Sequence, residues 1–570
     1  MTSHEKQQTE KEDTSEDTSK YLAGWKLVGV VVSLNAANGV AFVDLLGVTA
    51  ILPAVSDFFT DGGSIAWAAT TQLIGATVGL AILGYLSDTW SRRMMLLISI
   101  GLLTLSSLAC GLSSFQNRTD LFCALRTLSG IATGSISNLV NIAQNDFLPE
   151  QKRLKYQGVQ GVSVAIGSIM GMMVGAVFAS EPRWHYFYYF VVGLSVLAWL
   201  GVFFCVPANC RPPQGEQIRR VLKTIDYYGI LSGIGIVVAG LLLLSKYSDL
   251  DRAVVIALAV ITVVSATIFL VLGFLPDRGA VRPIVPFKLF RNRTIATILV
   301  QNVLFGATYY SFNYYLPLNL QVVRELPALT ASAYQVPYYV THGTWSTVSA
   351  LIILRLQKQG RRSYSVIFFS GFAVWTVAMV ILALDSEYRV RGLVIFLSIL
   401  VGIGTGSSFQ NSVMAISAQA DQETKGLAVG TRNVLRSFGG ALGTAVSSAV
   451  LQQRLQATLP RDLPADFHIA DSAFSHASFE RLSDTQRAQV EEAYDGAIMW
   501  VFFVSAIFVG ICFLLCPLIK DQKRQPTLDC ETAESSKLRE SADNDDEDDD
   551  DKKSLDDDSD QPNTGVSQMP

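Results

Sequence analysis

Charge is what this sequence has least of. Only 16% of its 570 residues are Asp, Glu, Lys or Arg, against 50% hydrophobic, and its mean hydropathy is positive. A water-soluble chain of this length does not string together so many uncharged blocks of helix-spanning length. Cysteine is scarce too: the seven residues Cys110, Cys123, Cys205, Cys210, Cys512, Cys516 and Cys530 include no C-x-x-C pair. That excludes a disulfide framework and leaves no metal site to expect. No G-x-x-x-x-G-K-[ST] phosphate loop occurs, so ATP does not drive anything from within the chain. The stretch Gly402-Ile-Gly404-Thr-Gly406 looks like a dinucleotide loop, but it sits inside an apolar run with no strand before it. The first 20 residues are polar, without an apolar core, so no cleavable signal peptide is expected and the first apolar run would direct insertion.

What is present is a series of long apolar runs. They fall near 27–55, 65–87, 94–113, 121–145, 157–180, 184–206, 227–245, 252–275, 294–320, 332–354, 364–384, 392–417, 426–451 and 495–519. Each fits one crossing of a ~30 Å hydrocarbon core, which predicts about fourteen transmembrane helices. The run 227–275 also admits a re-entrant pair. Positive charge gathers on alternate connections, at Arg92 and Arg93, Lys152 to Lys155, Arg219 to Lys223, Lys288 to Arg293, and Arg355 to Arg362. The opposite short loops carry little, such as Arg118 or Arg324. By the positive-inside tendency both termini are cytoplasmic, as an even number of spans requires. The net charge of −5 misleads, because much of the acid lies in the tail from Asp543 to Asp560. Both tails are expected to be disordered; the acidic run reads as a solvated tail or trafficking handle rather than a calcium site.

The decapeptide Gly84-Tyr85-Leu86-Ser87-Asp88-Thr89-Trp90-Ser91-Arg92-Arg93 lies between the second and third runs. It resembles the signature loop G-x-L-A-D-x-x-G-R-R of the major facilitator superfamily, with Gly84, Leu86, Asp88, Arg92 and Arg93 matching and Ser87 and Ser91 departing. A weaker copy, Gly360-Arg361-Arg362, follows the tenth run without the Asp. The context of Asp44, through Val48, Leu52 and Pro53, resembles the first-helix motif of the fourteen-span drug:proton antiporters. Leu125-Arg126 to Gly134 resembles the family's R-x-x-Q-G-x-G-x-G fourth-helix motif, with Ser129 for Gln and Ala132 for Gly. Gly158, Gly167, Gly171 and Gly175 resemble the exporters' fifth-helix motif, although Met172 stands for its proline and Ala176 for its last glycine. The resemblance covers about residues 25–519.

The expected fold is therefore all-α and polytopic, with two six-helix bundles and two extra helices in the major facilitator arrangement. Expected boundaries are an N-tail 1–24, an N-terminal bundle 25–206, a linker with the extra pair 207–292, and a C-terminal bundle 293–519 containing an extracellular loop 452–494. The acidic tail 520–570 follows.

Asp44, about two-thirds along the first span, is too costly to face lipid; it is either a titrating or cation-docking carboxylate or a structural one held by a neighbouring helix or serine. Arg126 shares a helix face with Gly130, Thr133, Ser137 and Asn141, expected to face the central cavity, and the resemblance implies proton coupling there. The alternative is a packing stripe. Gly84, Asp88, Arg92 and Arg93 read as a cytoplasmic gate latch or as a pure topology signal, and the span-five glycines as an antiporter motif or as close packing. Gln72, Asn138, Asn141, Tyr310, Asn313, His342 and Gln410 are candidates for lining a cavity suited to a flat organic solute. Asn117 heads an outward glycosylation sequon; Asn292 heads one that should be cytoplasmic and silent. The resemblance implies a secondary transporter and not an enzyme. It needs the lipid bilayer, protons and a small organic substrate, but no cofactor, metal or nucleic acid. The expectation is a plasma-membrane monomer exporting a drug, toxin or secondary metabolite. An importer of a cationic nutrient, amino acid or metal chelate, and a non-transporting receptor, remain the rivals.

Overall fold

A computed structural model of the chain describes residues 24–59, 67–147, 150–179, 183–207, 226–246, 251–274, 285–324, 326–384, 391–421, 424–459 and 483–521. Both tails and the prolines and histidines Pro460, Pro464, His468 and His476 lie outside them. Fifteen α-helices build fourteen crossings among these residues: α1 (Gly24–Phe58), α2 (Trp67–Thr89), α3 (Arg92–Leu112), α4 (Thr119–Phe147), α5 (Glu150–Phe178), α6 (His185–Cys205), α7 (Tyr227–Lys246), α8 (Arg252–Phe274), α9 (Arg293–Leu318), α10 (Ala328–Lys358), α11 (Tyr364–Leu384), α12 (Arg391–Ser408), α13 (Asn411–Gln419), α14 (Lys425–Thr458) and α15 (Asp484–Leu515). The helices α12 and α13 share one crossing, interrupted at Phe409–Gln410. Helices are the expected solution, because hydrocarbon offers the backbone no hydrogen-bond partner outside its own segment.

Eleven of the crossings are long and apolar enough to be recognised by hydropathy alone. The three that fall short are α4, α7 and α10. In α4 and α10 polar side chains, Arg126 and His342 among them, are buried against neighbouring helices, so the protein rather than lipid solvates them. The pair α7 and α8 forms two separate helices of 20 and 23 residues.

The helices α1 to α6 pack as one bundle and α9 to α15 as another, and the two meet along α5 against α10 and α2 against α14. Outside them lie α7 and α8, with α7 resting on α2 and α14; α8 buries no residue at all. A helix apolar all round that packs chiefly on α7 and buries nothing fully is one whose remaining surface faces lipid. Between this pair and α2/α14 lies an apolar cavity of about 230 Å³, lined by residues such as Ile74, Val78, Ile234, Phe269 and Phe438.

Local chemistry sets several helix ends. Asn292, head of the second sequon, caps α9: its side chain accepts from the backbone N–H of Thr294 at 3.0 Å and of Ile295 at 3.4 Å. Ser483 and Gln486 form a capping box at the start of α15. The polar stretch expected as a loop over 452–494 is helical at both of its ends, to Thr458 and from Asp484. Helical hydrogen bonding continues past the apolar segment, and the Arg454 guanidinium sits 3.9 Å over the Trp500 ring, tying α14 to α15 there.

Candidate functional site

The first-bundle site is built on α1, α2 and α4. Asp44 and Arg126 are both fully buried and form an ion pair, with Arg126 Nη1 donating to Asp44 Oδ1 at 3.1 Å and Oδ2 at 3.2 Å. The Gln72 side-chain N–H donates to Asp44 Oδ2 at 2.9 Å. The Ser129 hydroxyl donates to the same oxygen, and Arg126 donates to the Gln72 carbonyl. A buried carboxylate is tolerable only when paired and hydrogen-bonded, and three donors surround this one. The Tyr188 ring of α6 adds a cation–π face 5.9 Å from Arg126. Asp44 and Arg126 are thus one unit, and Gln72 belongs to it. Its amide spans the gap between α2 and the pair, donating at one end and accepting at the other.

Glycine decides how close these helices come. A Cβ at Gly171 would stand 2.5 Å from the Val43 carbonyl oxygen, and one at Gly175 2.6 Å from that of Gly47; Gly167 lies equally tight on Gly39. Three members of the span-five motif therefore press α5 onto the segment of α1 that carries Asp44. Gly158, the fourth, does something else: it faces Thr347 of α10, whose hydroxyl donates to the Gly158 carbonyl at 3.1 Å. On α4, Gly130 and Gly134 meet the α2 backbone at Gln72 and Ala76. Of the stripe Arg126, Gly130, Thr133, Ser137 and Asn141, Arg126 bonds Asp44 of α1 and Gln72 of α2 and Gly130 packs on the α2 backbone.

The remaining expected residues scatter. Arg92 pairs with Asp146 at 2.9 Å and also donates to the Ser87 hydroxyl; Arg93 bonds the Phe203 carbonyl and lies 4.8 Å over the Phe203 ring. The side chain of Asp88 lies outside the described residues. Gly84 leaves room for the Asn138 amide, and Asn138 accepts from Asn433 of α14 at 2.9 Å, a bond between the two bundles. Asn141 donates to Ser137 within its own helix at 2.8 Å. Asn313 donates to the Tyr309 carbonyl at 2.7 Å and accepts from Tyr339. Tyr310 is buried, its ring 5.1 Å from that of Tyr309. His342 Nδ1 bonds Thr405 at 2.9 Å, and Gln410 is buried at the helix interruption. Asn117 is exposed. Among the described residues no group of three or more His, Cys, Asp or Glu side chains could hold a metal ion.

Sequence reading passed over two residues in the second bundle. Arg432 and Arg436 of α14 are buried, at 0% and 4% exposure. Arg432 donates to Ser412 from Nε at 3.0 Å and from Nη2 at 2.6 Å, to Asn433 at 2.7 Å and to the Phe409 carbonyl. Arg436 stacks 4.2 Å over the Phe409 ring, and its Nε is buried without a partner. The signal was available: two arginines four residues apart inside an apolar run.

Bundles of this connectivity, with a buried ion pair and glycine-packed helices around it, define a class of membrane transporter. The comparisons agree. The model of the Major Facilitator Superfamily matches residues 36–226 and 227–444, and the chain belongs to that family. It is 30% identical over 508 residues to the "Citrate exporter 1" of Yarrowia lipolytica, covering 88% of this chain and 73% of that protein. It is 26% identical over 524 residues to the "Acurin A biosynthesis cluster MFS-type transporter" of Aspergillus aculeatus, covering 88% and 90%. Among solved structures, a bacterial homolog to the human lysosomal transporter Spinster, inward-facing and occupied, superposes with a TM-score of 0.58 at 12% identity, over 87% of this chain and 97% of that one. The last likeness is one of fold. The protein is a secondary transporter and not an enzyme.

Proposed function

We propose that this transporter exports a small organic metabolite by alternating access, driven by protons taken up at Asp44. The observation that supports this reading is the Asp44–Arg126 ion pair, fully buried and braced by Gln72 and Ser129. Protonating Asp44 removes the charge that holds Arg126, so the contacts tying α1, α2 and α4 change with protonation, and rocking of the bundles is linked to it. The export direction rests on relatives named as a citrate exporter and a biosynthesis-cluster transporter. Basic loops favour cytoplasmic termini, and plasma-membrane residence as a monomer with Asn117 outside is the arrangement this reading takes. The Arg92–Asp146 and Arg92–Ser87 contacts then form a latch at the cytoplasmic end, where Asn138–Asn433 joins the two bundles.

The test is efflux from loaded cells with and without a protonophore. Wild-type efflux should be uphill and protonophore-sensitive, and Asp44→Asn should lose uphill efflux while keeping exchange. Arg92→Ala should lower turnover at unchanged surface level. Uphill, protonophore-sensitive efflux retained in Asp44→Asn would remove Asp44 as the proton carrier.

A further inference from the structure

Among the described residues the buried charged side chains are Asp44, Arg126, Asp226, Arg432 and Arg436. Two of these are settled as a pair, and Asp226 caps α7 by accepting from the Gly229 N–H at 2.9 Å. Among the described residues the last two have no ion-pair partner: the hydrogen-bond and ring partners of Arg432 and Arg436 are all neutral groups. Arginine does not shed its proton to escape burial, and a buried charge persists only where something compensates it. Placed at i and i+4, the two lie on the same face of α14, both over the Phe409 ring at 5.7 and 4.2 Å. One carboxylate cannot neutralise both.

The surroundings are those of a built site. The crossing that faces α14 is broken at Phe409–Gln410. Interrupted membrane helices are where transporters expose backbone and polar groups to a solute. Around Phe409 stand the His342 ring at 5.3 Å and the Tyr309 ring at 5.4 Å. His342 Nε2, the Tyr309 hydroxyl, Gln410 Oε1 and Arg436 Nε are all buried with no hydrogen-bond partner. The site also borders the seam between the bundles. The Phe42 ring of α1 meets Phe409 edge-on at 6.2 Å, and Asn433, beside Arg432, bonds Asn138 of α4. Parting of the bundles at that seam would uncover the arginines.

We infer that Arg432, Arg436 and His342, grouped around Phe409, form the binding site for a small organic acid bearing at least two carboxylates, the solute this transporter carries. The guanidinium fork matches a carboxylate bidentately, and two arginines call for two negative charges. The Tyr309 hydroxyl supplies a neutral donor for a remaining oxygen, and His342 Nε2 supplies another in the tautomer whose Nδ1 accepts from Thr405. This inference rests on the transporter reading but on neither its direction nor its proton coupling.

The experiment measures ligand-induced thermal stabilisation of the full-length protein in detergent, with citrate, malate, the uncharged triester trimethyl citrate and inorganic phosphate as probes. Citrate and malate should raise the Tm of the wild type, and the triester should not. Arg436→Gln should weaken citrate binding about tenfold or more, the loss of a charge-assisted contact, while Arg436→Lys, which keeps the charge without the fork, should weaken it less. Asp44→Asn should still bind citrate even where it no longer pumps, so that failure of the coupling reading and failure of this one are told apart. No shift with either acid, equal shifts with the triester, stabilisation by phosphate alone, or unchanged citrate binding in Arg436→Gln each overturns the site. Where Arg436→Gln does not fold, the comparison of citrate with its triester on the wild type still decides.

Discussion

Each bundle buries arginine at the level of its central helices, but the two do so differently. In the first, Arg126 meets Asp44 and every oxygen of that carboxylate is engaged. In the second, Arg432 leans on a serine, an asparagine and one carbonyl, and Arg436 on an aromatic face. One site is closed upon itself; the other is electrostatically incomplete. A closed pair suits a switch, since its contacts change only when a proton arrives. An incomplete pair suits a ligand, since the missing charge has to come from outside. The glycine packing that supports them is shared: Gly171 presses on Val43 in the first bundle, and Gly439 and Gly443 press on Val303 and Ala307 in the second.

The comparison breaks hardest at Arg126. Arg126→Met leaves Asp44 buried and unpaired, a loss of about 3–5 kcal/mol, and should abolish both folding yield and transport, read by detergent-stable protein and efflux. The double variant Asp44→Leu/Arg126→Met should recover much of the stability but no proton-driven transport. Equal stability of single and double variants would mean that the ion pair is not what holds α1 to α4.

A smaller effect is expected at the glycine seam. Gly171→Ala places a Cβ 2.5 Å from the Val43 carbonyl oxygen, an overpacking worth about 1–3 kcal/mol. Gly101, with nothing within 4 Å of the corresponding position, is the control, and Gly101→Ala should stay within about 0.5 kcal/mol of wild type. Thermal unfolding of both variants side by side measures the difference.

The sharpening variant is Ser412→Asp, which sets a carboxylate where Arg432 already donates twice. It gives the second bundle the internal counter-charge that the first has. Stability should change by about 1 kcal/mol or less, since pairing and desolvation nearly offset, while citrate-induced stabilisation is lost. Undiminished citrate binding in Ser412→Asp would show that the two arginines do not depend on an outside anion.

Much of this was legible in advance where the signal is local. A crossing of hydrocarbon needs a continuous apolar run, so span number, span limits and the separation of α7 from α8 could be read residue by residue. Asp44 and Arg126 stood out for the same reason, as charges inside such runs. Their pairing did not, because they are 82 positions apart and no periodicity connects α1 to α4. Arg432 and Arg436 were overlooked because the many small and apolar residues of the run 426–451 hide two charges in any windowed reading. The glycines at 402, 404 and 406 were noticed only as a poor nucleotide loop. Their work is steric: Gly402 and Gly406 let α12 approach the Tyr338 and His342 backbone of α10, bringing His342 to Thr405.

By itself, then, the sequence determined that this chain lives in a membrane as a helical bundle of fourteen crossings, because insertion is governed by the composition of each segment taken alone. Only the tertiary structure decided which buried charges meet. That choice depends on helices brought within contact by glycine seams far apart in the chain, and on the high cost, in a medium without water, of leaving Asp44 without Arg126.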